Sequence, residues 1–172
     1  MKKIILIICF TVYGICFSQY TDSYLDFTND YIFLDSSKVN TKWKNGKIRE
    51  LKNIMKISYK NKQYEYFTGV FLQFNKKGKK RTESLFDKYG NYLSYKFYDL
   101  NGIVSLKKTT EKIDYNKKTA LVEIIIHEKY FMKTTEENYL YKEGKKLNDK
   151  KIGKWLTYDF CGNIIKEKKH SK

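Results

Sequence analysis

The chain has 172 residues, no proline and a formal net charge of +16. This length suits one domain with a buried core, and the excess of lysine attracts anionic polymers and surfaces. Only Arg49 and Arg81 are arginines. Because base-edge readout and bidentate phosphate binding both depend on arginine, the composition argues against sequence-specific nucleic-acid binding. The lysines are spread along the chain without a dense patch, which predicts weak, salt-sensitive attraction to nucleic acid or anionic lipid.

The first 18 residues have the pattern of a secretory signal peptide. Lys2 and Lys3 precede an apolar run over residues 4–12, and Ser18 is a small residue suited to cleavage before Gln19. The alternative is an uncleaved anchor, for which the apolar run is short. We therefore expect a secreted or periplasmic chain that begins at Gln19, with membrane attachment only through an uncleaved signal segment.

The predicted cleavage site divides the cysteines. Cys9 and Cys16 leave with the signal peptide, so Cys161 is the single cysteine of the expected mature chain and no internal disulfide can form. Cys161 lies within a predicted turn, where it is either a tolerated substitution or a site of intermolecular bridging or thiol reactivity. Removal of residues 1–18, which include two lysines and no acid, lowers the net charge from +16 to +14.

A twelve-residue unit occurs three times between Phe74 and Thr109, as FNKKGKKRTESL, FDKYGNYLSYKF and YDLNGIVSLKKT, and a partial copy, YDFCGN, covers 158–163. Each copy begins with an aromatic residue followed by Asn or Asp, and glycine comes four places after the aromatic. Because Asn or Asp can bond its own backbone and glycine tolerates positive φ, the unit predicts a turn followed by a strand of about seven residues. The predicted turn residues are Gly78, Gly90, Gly102, Gly162, Asp87, Asp99 and Asp159.

Elements before the repeats are less regular. One short strand is predicted near Tyr31–Leu34, ended by the polar residues 35–37. Between Lys47 and Lys60, the first half fits a helical stripe or a strand, whereas the second half favours a strand. The alternating segment Gln63–Phe74 predicts a strand with a bulge at Gly69.

Three elements are predicted after the repeats. Residues 120–131 are the most apolar segment of the mature chain and predict a central strand. A strand over Glu136–Tyr141 is expected to end in a turn at residues 141–144. Residues 153–168 predict a strand, a turn and a second strand. The predicted organisation is residues 1–18 signal peptide, 19–45 N-terminal segment with a short strand, 46–168 β-hairpin repeat domain and 169–172 basic tail.

The last hairpin resembles the variant MORN repeat, in which a glycine, a tryptophan, an aromatic residue and a turn glycine precede a hydrophobic pair. The matching residues are Gly153, Trp155, Tyr158, Gly162, Ile164 and Ile165. The resemblance implies a repeat sheet that binds another molecule, and some relatives are described as antitoxin-like. It transfers no catalytic residue, since the pattern consists of structural aromatics and glycines.

Catalytic and metal-binding patterns are sparse. His127, in the apolar strand, is the candidate general base, with Glu123 on its face of the strand and Glu128 on the other. The DLNG sequence at residues 99–102 contains part of a calcium loop but lacks the closing glutamate, so closure of a turn is the favoured role of Asp99. We expect no catalytic residue, no bound metal and no cofactor.

The sequence therefore predicts an all-β fold, an antiparallel meander of repeated hairpins in a MORN-like repeat sheet. The predicted function is a non-catalytic binding or scaffold module at the cell envelope, whose partner is another protein or an envelope component. The alternatives are an antitoxin-like partner that neutralises a toxin and, third, an enzyme using His127. The aromatic side chains considered for ligand contact are Tyr92, Tyr95, Tyr139, Tyr141 and Trp155.

Overall fold

Ten antiparallel strands follow one another in chain order and form a single sheet, which confirms the predicted all-β meander. The computed structural model describes residues 19–134 and 137–171, so the predicted signal peptide lies outside the described residues. The elements are α1 (Asp22–Thr28), β1 (Ile32–Lys42), β2 (Ile48–Tyr59), β3 (Lys62–Phe74), β4 (Lys80–Phe86), β5 (Tyr92–Tyr98), β6 (Val104–Asn116), β7 (Leu121–Lys133), β8 (Asn138–Leu147), β9 (Lys150–Tyr158) and β10 (Ile164–His170). In the described residues, no helix has the length and apolarity needed to cross a bilayer.

The repeated unit forms the hairpin turns. In the five turns at 43–47, 75–79, 87–91, 99–103 and 159–163, the first N–H donates to the fifth carbonyl and the glycine N–H donates to the first carbonyl. Asp99 Oδ1 also accepts the backbone N–H groups of Asn101 and Ile103 at 2.8 and 2.9 Å, and Asp87 and Asp159 accept equivalent bonds. Gly78, Gly90, Gly102 and Gly162 have φ between +83° and +86°.

Gly90→Ala is expected to destabilise the protein more than Gly102→Ala. Both glycines have positive φ, a conformation that costs a residue with a Cβ about 1 to 2 kcal/mol. A Cβ at Gly102 would meet no atom within 4 Å, whereas a Cβ at Gly90 would lie 2.7 Å from the ring of Tyr66. We expect a loss in unfolding free energy of about 1 to 2 kcal/mol for Gly102→Ala and about 3 kcal/mol for Gly90→Ala, measured by urea denaturation. Equal losses would contradict the close approach of Tyr66.

Two adjacent interior strands are shorter than the strands on either side of them. β4 and β5 have 7 residues each, whereas β3 and β6 have 13. The pairing of β3 with β4 begins at Gly69, and the pairing of β6 with β5 ends at Thr109. Residues 62–68 and 110–116 therefore extend beyond the β4–β5 turn and leave a notch in the sheet between them.

Residues 19–31 fill this notch. Tyr20 forms a parallel bridge with Ile113 of β6, where the Ile113 N–H donates to the Gln19 carbonyl at 2.6 Å and the Thr21 N–H donates to the Ile113 carbonyl at 3.1 Å. These bonds use the edge of β6 that β5 has left unpaired. Backbone groups that would otherwise be exposed or unsatisfied in the notch thus find partners within the chain.

The helix α1 is held in place by side-chain contacts. It has only 7 residues, too few to be stable without tertiary packing. Thr21 caps its N-terminus, and the hydroxyls of Thr21 and Ser23 donate to Asp114 Oδ1 at 2.5 and 2.8 Å. These bonds, together with Lys112, hold the pKa of Asp114 well below its ordinary value. On the other side, the buried Tyr24 accepts a hydrogen bond from Asn91 of the β4–β5 turn.

Several strands are longer than the sequence predicts. β1 continues through the polar residues 35–37, because it pairs with β2 along its length and its side chains are mostly exposed. β2 is a strand throughout, so its first half is not helical. β10 reaches His170, which lies opposite Gly153, so the predicted tail at 169–172 is ordered at least that far.

The predicted turn at residues 141–144 is wrong. β8 runs through these residues, and Gly144 lies opposite Trp155 of β9. The turn between β8 and β9 consists instead of Asn148 and Asp149, both with positive φ. Gly69 also has positive φ, +62°, and lies within a register shift between β2 and β3, as predicted for a bulge.

Candidate functional site

An aromatic groove lies beside α1, where the long ends of β2 and β3 face the β4–β5 turn. It encloses about 300 Å³. Its open wall includes Tyr64, whose side chain is 45 % exposed. The groove is apolar because tyrosine and phenylalanine rings from four parts of the chain converge on it. Its lining residues are Phe27, Tyr31, Ile57, Tyr59, Tyr64, Tyr66 and Tyr89.

The walls of the aromatic groove are held by ring packing and hydrogen bonds. The rings of Tyr31 and Tyr59 lie 5.2 Å apart, and Phe27 stacks on Tyr115 at 4.2 Å. The Tyr66 hydroxyl donates to the Lys88 carbonyl at 3.0 Å. Burial raises the pKa of Tyr66 to about 12, so this phenol stays neutral at physiological pH. The groove is therefore formed before any ligand arrives, which lowers the entropy that binding must overcome.

The free edge of β1 begins directly at this groove. Among the described residues, β1 pairs with β2 alone, so the other side of this 11-residue strand has no strand partner. Its first residues are apolar and exposed: Ile32 by 63 %, Phe33 by 44 % and Leu34 by 49 %. The Phe33 ring lies 6.4 Å from Tyr89 of the groove. Unpaired backbone groups and apolar side chains together are suited to the addition of an extended chain.

The opposite edge of the sheet is built differently. β10 has only 7 residues, and after Ile164 and Ile165 its sequence is KEKKH. Lysines on an edge strand discourage pairing with another chain, because pairing would bring their charges out of water. The two edges are thus unequal, and β1 is the edge available to a partner strand.

Five aromatic residues were predicted from the sequence to contact a ligand. None of them is part of the lining of the aromatic groove. Trp155 is only 2 % exposed and its Nε1 donates to the Lys145 carbonyl at 3.1 Å, so its side chain packs in the core and leaves little surface for the predicted ligand contact. Tyr92 and Tyr95 are half-buried, with their rings 6.0 Å apart. The hydroxyl of the half-buried Tyr139 points to Met132 Sδ at 3.8 Å, and Tyr141 lines a concavity with lysines of β9 and β10.

His127 lies between two carboxylates that the sequence did not indicate. Its Nε2 is 3.0 Å from Glu143 and its Nδ1 is 3.6 Å from Glu111. Glu123, the expected neighbour, instead accepts a hydrogen bond from Asn116, while Glu128 is buried on the opposite face. Each imidazole nitrogen thus lies within 4 Å of a carboxylate, and the side chain is 26 % exposed. The arrangement is that of a surface ion-pair network.

The two carboxylates around His127 have other partners. Lys145 Nζ lies 2.6 Å from Glu111, and the Tyr158 hydroxyl donates to Glu143 at 2.7 Å. Burial alone would raise the pKa of Glu143, but the Tyr158 hydroxyl and the neighbouring cations lower it below its ordinary value. Glu143 is therefore charged and paired at neutral pH, as in a structural network.

Asp99 uses Oδ1 to close its own turn, so the DLNG sequence is accounted for without calcium. Its backbone hydrogen bonds from Ile103 and Asn101 lower the pKa of Asp99. Within residues 19–134 and 137–171, no group of three His, Cys, Asp or Glu side chains is arranged to hold a metal ion. Cys161 is a free, exposed thiol.

Comparison of the chain with models of protein families, with curated proteins and with solved structures finds no match. The resemblance to variant MORN repeats thus stays a prediction. The groove and the β1 edge were missed because their residues are far apart in the sequence. The one local pattern in the sequence that pointed to the β1 edge was the apolar triplet of residues 32–34 at the start of a polar strand.

Proposed function

We propose that this chain is a secreted or periplasmic, non-catalytic binding module that holds an extended segment of another protein on the free edge of β1. The observation that carries the proposal is the exposed apolar start of β1 beside the preformed aromatic groove. An extended partner would pair its backbone with β1 and place an apolar side chain in the groove. Only a polypeptide uses both features, because a small ligand cannot satisfy the edge of an 11-residue strand.

The proposal is tested by site-specific cross-linking in the cells that produce the protein. A photo-reactive residue is placed at Val39 on β1, and the captured protein is identified. The double substitution Ile32→Lys and Phe33→Lys is expected to abolish capture, because lysine blocks strand addition and removes the apolar contact. Ile165→Lys is the matched control, since Ile165 on β10 is 63 % exposed, as is Ile32.

Four outcomes would change the proposal. Equal capture by the wild type and the double variant would exclude the β1 edge as the binding site. Cross-links only to a second copy of the chain would make this edge a homodimer interface. A captured protein that is toxic when expressed alone would identify the module as a neutralising partner, whereas an activity lost specifically in His127→Ala would favour the enzyme alternative.

A further inference from the structure

The turns at 43–47 and 75–79 are joined side by side at one end of the sheet. The side chains of Trp43 and Asn45 donate hydrogen bonds to backbone carbonyls at Phe74 and Lys76, at 3.1 and 2.9 Å. The indole is thereby fixed in orientation, although its ring is only half-buried. Fixed aromatic rings at a surface are suited to holding cations over their faces.

Cations surround this indole and form what we call the Trp43 surface. Arg49 Cζ lies 5.1 Å and Lys76 Nζ 5.8 Å from the centroid of the ring. The prediction that the lysines form no dense patch is therefore wrong, since the β1–β2 and β3–β4 turns bring distant cations together. The Trp43 surface encloses a concavity of about 450 Å³, lined by Lys42, Trp43, Lys44, Asn45, Arg49 and Lys76.

Most of the cations of the Trp43 surface have no carboxylate partner. Among the described residues, Lys42, Lys44 and Lys76 form no ion pair with a carboxylate. Arg49 has one distant partner, Glu50 at 3.8 Å, and its side chain is 53 % exposed. By contrast, lysines on the middle strands mostly contact glutamates. The Trp43 surface thus has a positive field that an anionic ligand would complement.

The hydrogen-bonding groups around the indole limit which anionic ligands would fit this surface. The four cations can only donate hydrogen bonds. The one amide, Asn45, is already used, since its Nδ2 donates to the Lys76 carbonyl and its Oδ1 accepts the Lys47 N–H. Nucleobases present N–H donors on their edges, which find no acceptor among these cations, whereas a carboxylate only accepts hydrogen bonds. A carboxylated pyranose presents carboxylate and hydroxyl oxygens that accept hydrogen bonds from the cations.

We propose that the Trp43 surface is a binding site for an acidic polysaccharide, with a uronate carboxylate bound by Arg49 and Lys76 beside the indole of Trp43. The guanidinium of Arg49 offers the planar fork that matches a carboxylate. Lys42 and Lys44 attract the carboxylates of adjacent sugars. This site lies at the end of β1 opposite the aromatic groove, shares only Lys42 with that strand and does not depend on the protein partner proposed above.

The test is a titration of the chain from Gln19 onward with trigalacturonate, followed by tryptophan fluorescence and calorimetry. Trp43 and the buried Trp155 are the only tryptophans, so a ligand-induced change reports mainly on Trp43. The double variant Arg49→Met and Lys76→Met is expected to weaken binding about tenfold or more, because two charged contacts are lost. Trp43→Leu is expected to remove the fluorescence change and to weaken binding as well.

The matched control is the double variant Lys166→Met and Lys169→Met, which removes the same charge from exposed positions of β10. It should bind trigalacturonate as the wild type does, and neutral maltotriose should not bind. Each variant is first checked for an unchanged circular dichroism spectrum. Equal loss in both double variants, or an oligonucleotide that binds as tightly and changes Trp43 fluorescence equally, would overturn the proposal. The Ile32→Lys and Phe33→Lys variant should bind the sugar normally, which separates this site from the β1 edge.

Discussion

Trp155→Ala is expected to lower the free energy of unfolding by about 3 to 5 kcal/mol, as for other large core aromatics. Trp155 is 2 % exposed, and its indole lies directly on the backbone of Gly144 in the neighbouring strand. A Cβ at Gly144 would be only 2.3 Å from the ring, which shows how close the two groups are. Trp43→Ala is the control, with an expected loss of about 1 to 2 kcal/mol because Trp43 is half-exposed.

The same contact predicts strong coupling between Gly144 and Trp155. In the wild type, Gly144→Ala should destabilise by about 3 kcal/mol, because the added methyl group forces the buried indole to move. In the Trp155→Ala background, the methyl group has space, so the same substitution should have little effect. Urea denaturation of the wild type, the two single variants and the double variant measures this coupling. Additive effects would show that the indole does not rest on Gly144.

Glu128→Ala is expected to destabilise the protein by about 3 kcal/mol, within the usual range for breaking a buried ion pair. Glu128 is 1 % exposed, with Lys108 Nζ at 2.9 Å and Lys146 Nζ at 3.1 Å. The Tyr130 hydroxyl donates to the same carboxylate at 2.6 Å. Removal of the carboxylate leaves two partly buried ammonium groups without their counter-ion, which is unfavourable in a low-dielectric setting.

Glu83 provides a matched control for Glu128. It too contacts two lysines and a tyrosine hydroxyl, Lys80 at 2.6 Å, Lys96 at 3.3 Å and Tyr98 at 3.2 Å, but its side chain is 30 % exposed. Solvent screens this network, so Glu83→Ala should destabilise by less than about 1 kcal/mol. Similar losses for Glu83→Ala and Glu128→Ala would mean that burial does not strengthen the Glu128 network.

The Glu128 network also predicts the acid dependence of stability. Burial alone would raise the pKa of Glu128, but Tyr130, Lys108 and Lys146 together lower it below its ordinary value. A carboxyl whose pKa is lower in the folded than in the unfolded state stabilises the fold above its unfolded pKa, about 4.3. This contribution is lost as the pH falls through the folded pKa. Stability measured from pH 7 to pH 3 should therefore fall less steeply in Glu128→Gln than in the wild type.

The repeats made the sheet predictable, because each turn is encoded by adjacent residues. The Asp or Asn, the glycine and the alternating strand lie within one twelve-residue unit, so Gly90 and Asp99 were identified without knowledge of the fold. The path of β1 was harder to predict, since its exposed polar residues give no alternation. Gly144 was mistaken for a turn glycine because the group that requires a glycine at this position, the indole of Trp155, lies on another strand.

The candidate sites depend on residues that are distant in the sequence, which limits what a local pattern can show. The aromatic groove combines α1 with the β4–β5 turn, and the Trp43 surface combines Arg49 with Lys76 from the next hairpin. Similarly, the carboxylates beside His127 come from β6 and β8 rather than from its own strand. In a meander, side chains on adjacent strands meet only once the register is known.

Residues 19–31, which fill the notch, affect the cooperativity of unfolding. In a sheet whose strands touch only their neighbours, each hairpin is stabilised locally, and such arrays tend to unfold stepwise from their ends. Here the Gln19 side chain bonds the Thr110 carbonyl across 91 residues of sequence, and Tyr20 bonds Asp87 across 67. These contacts close a long loop between the two halves of the array. The N-terminal segment thus couples β2, the β4–β5 turn and β6, and we expect this part of the sheet to unfold more nearly as one unit.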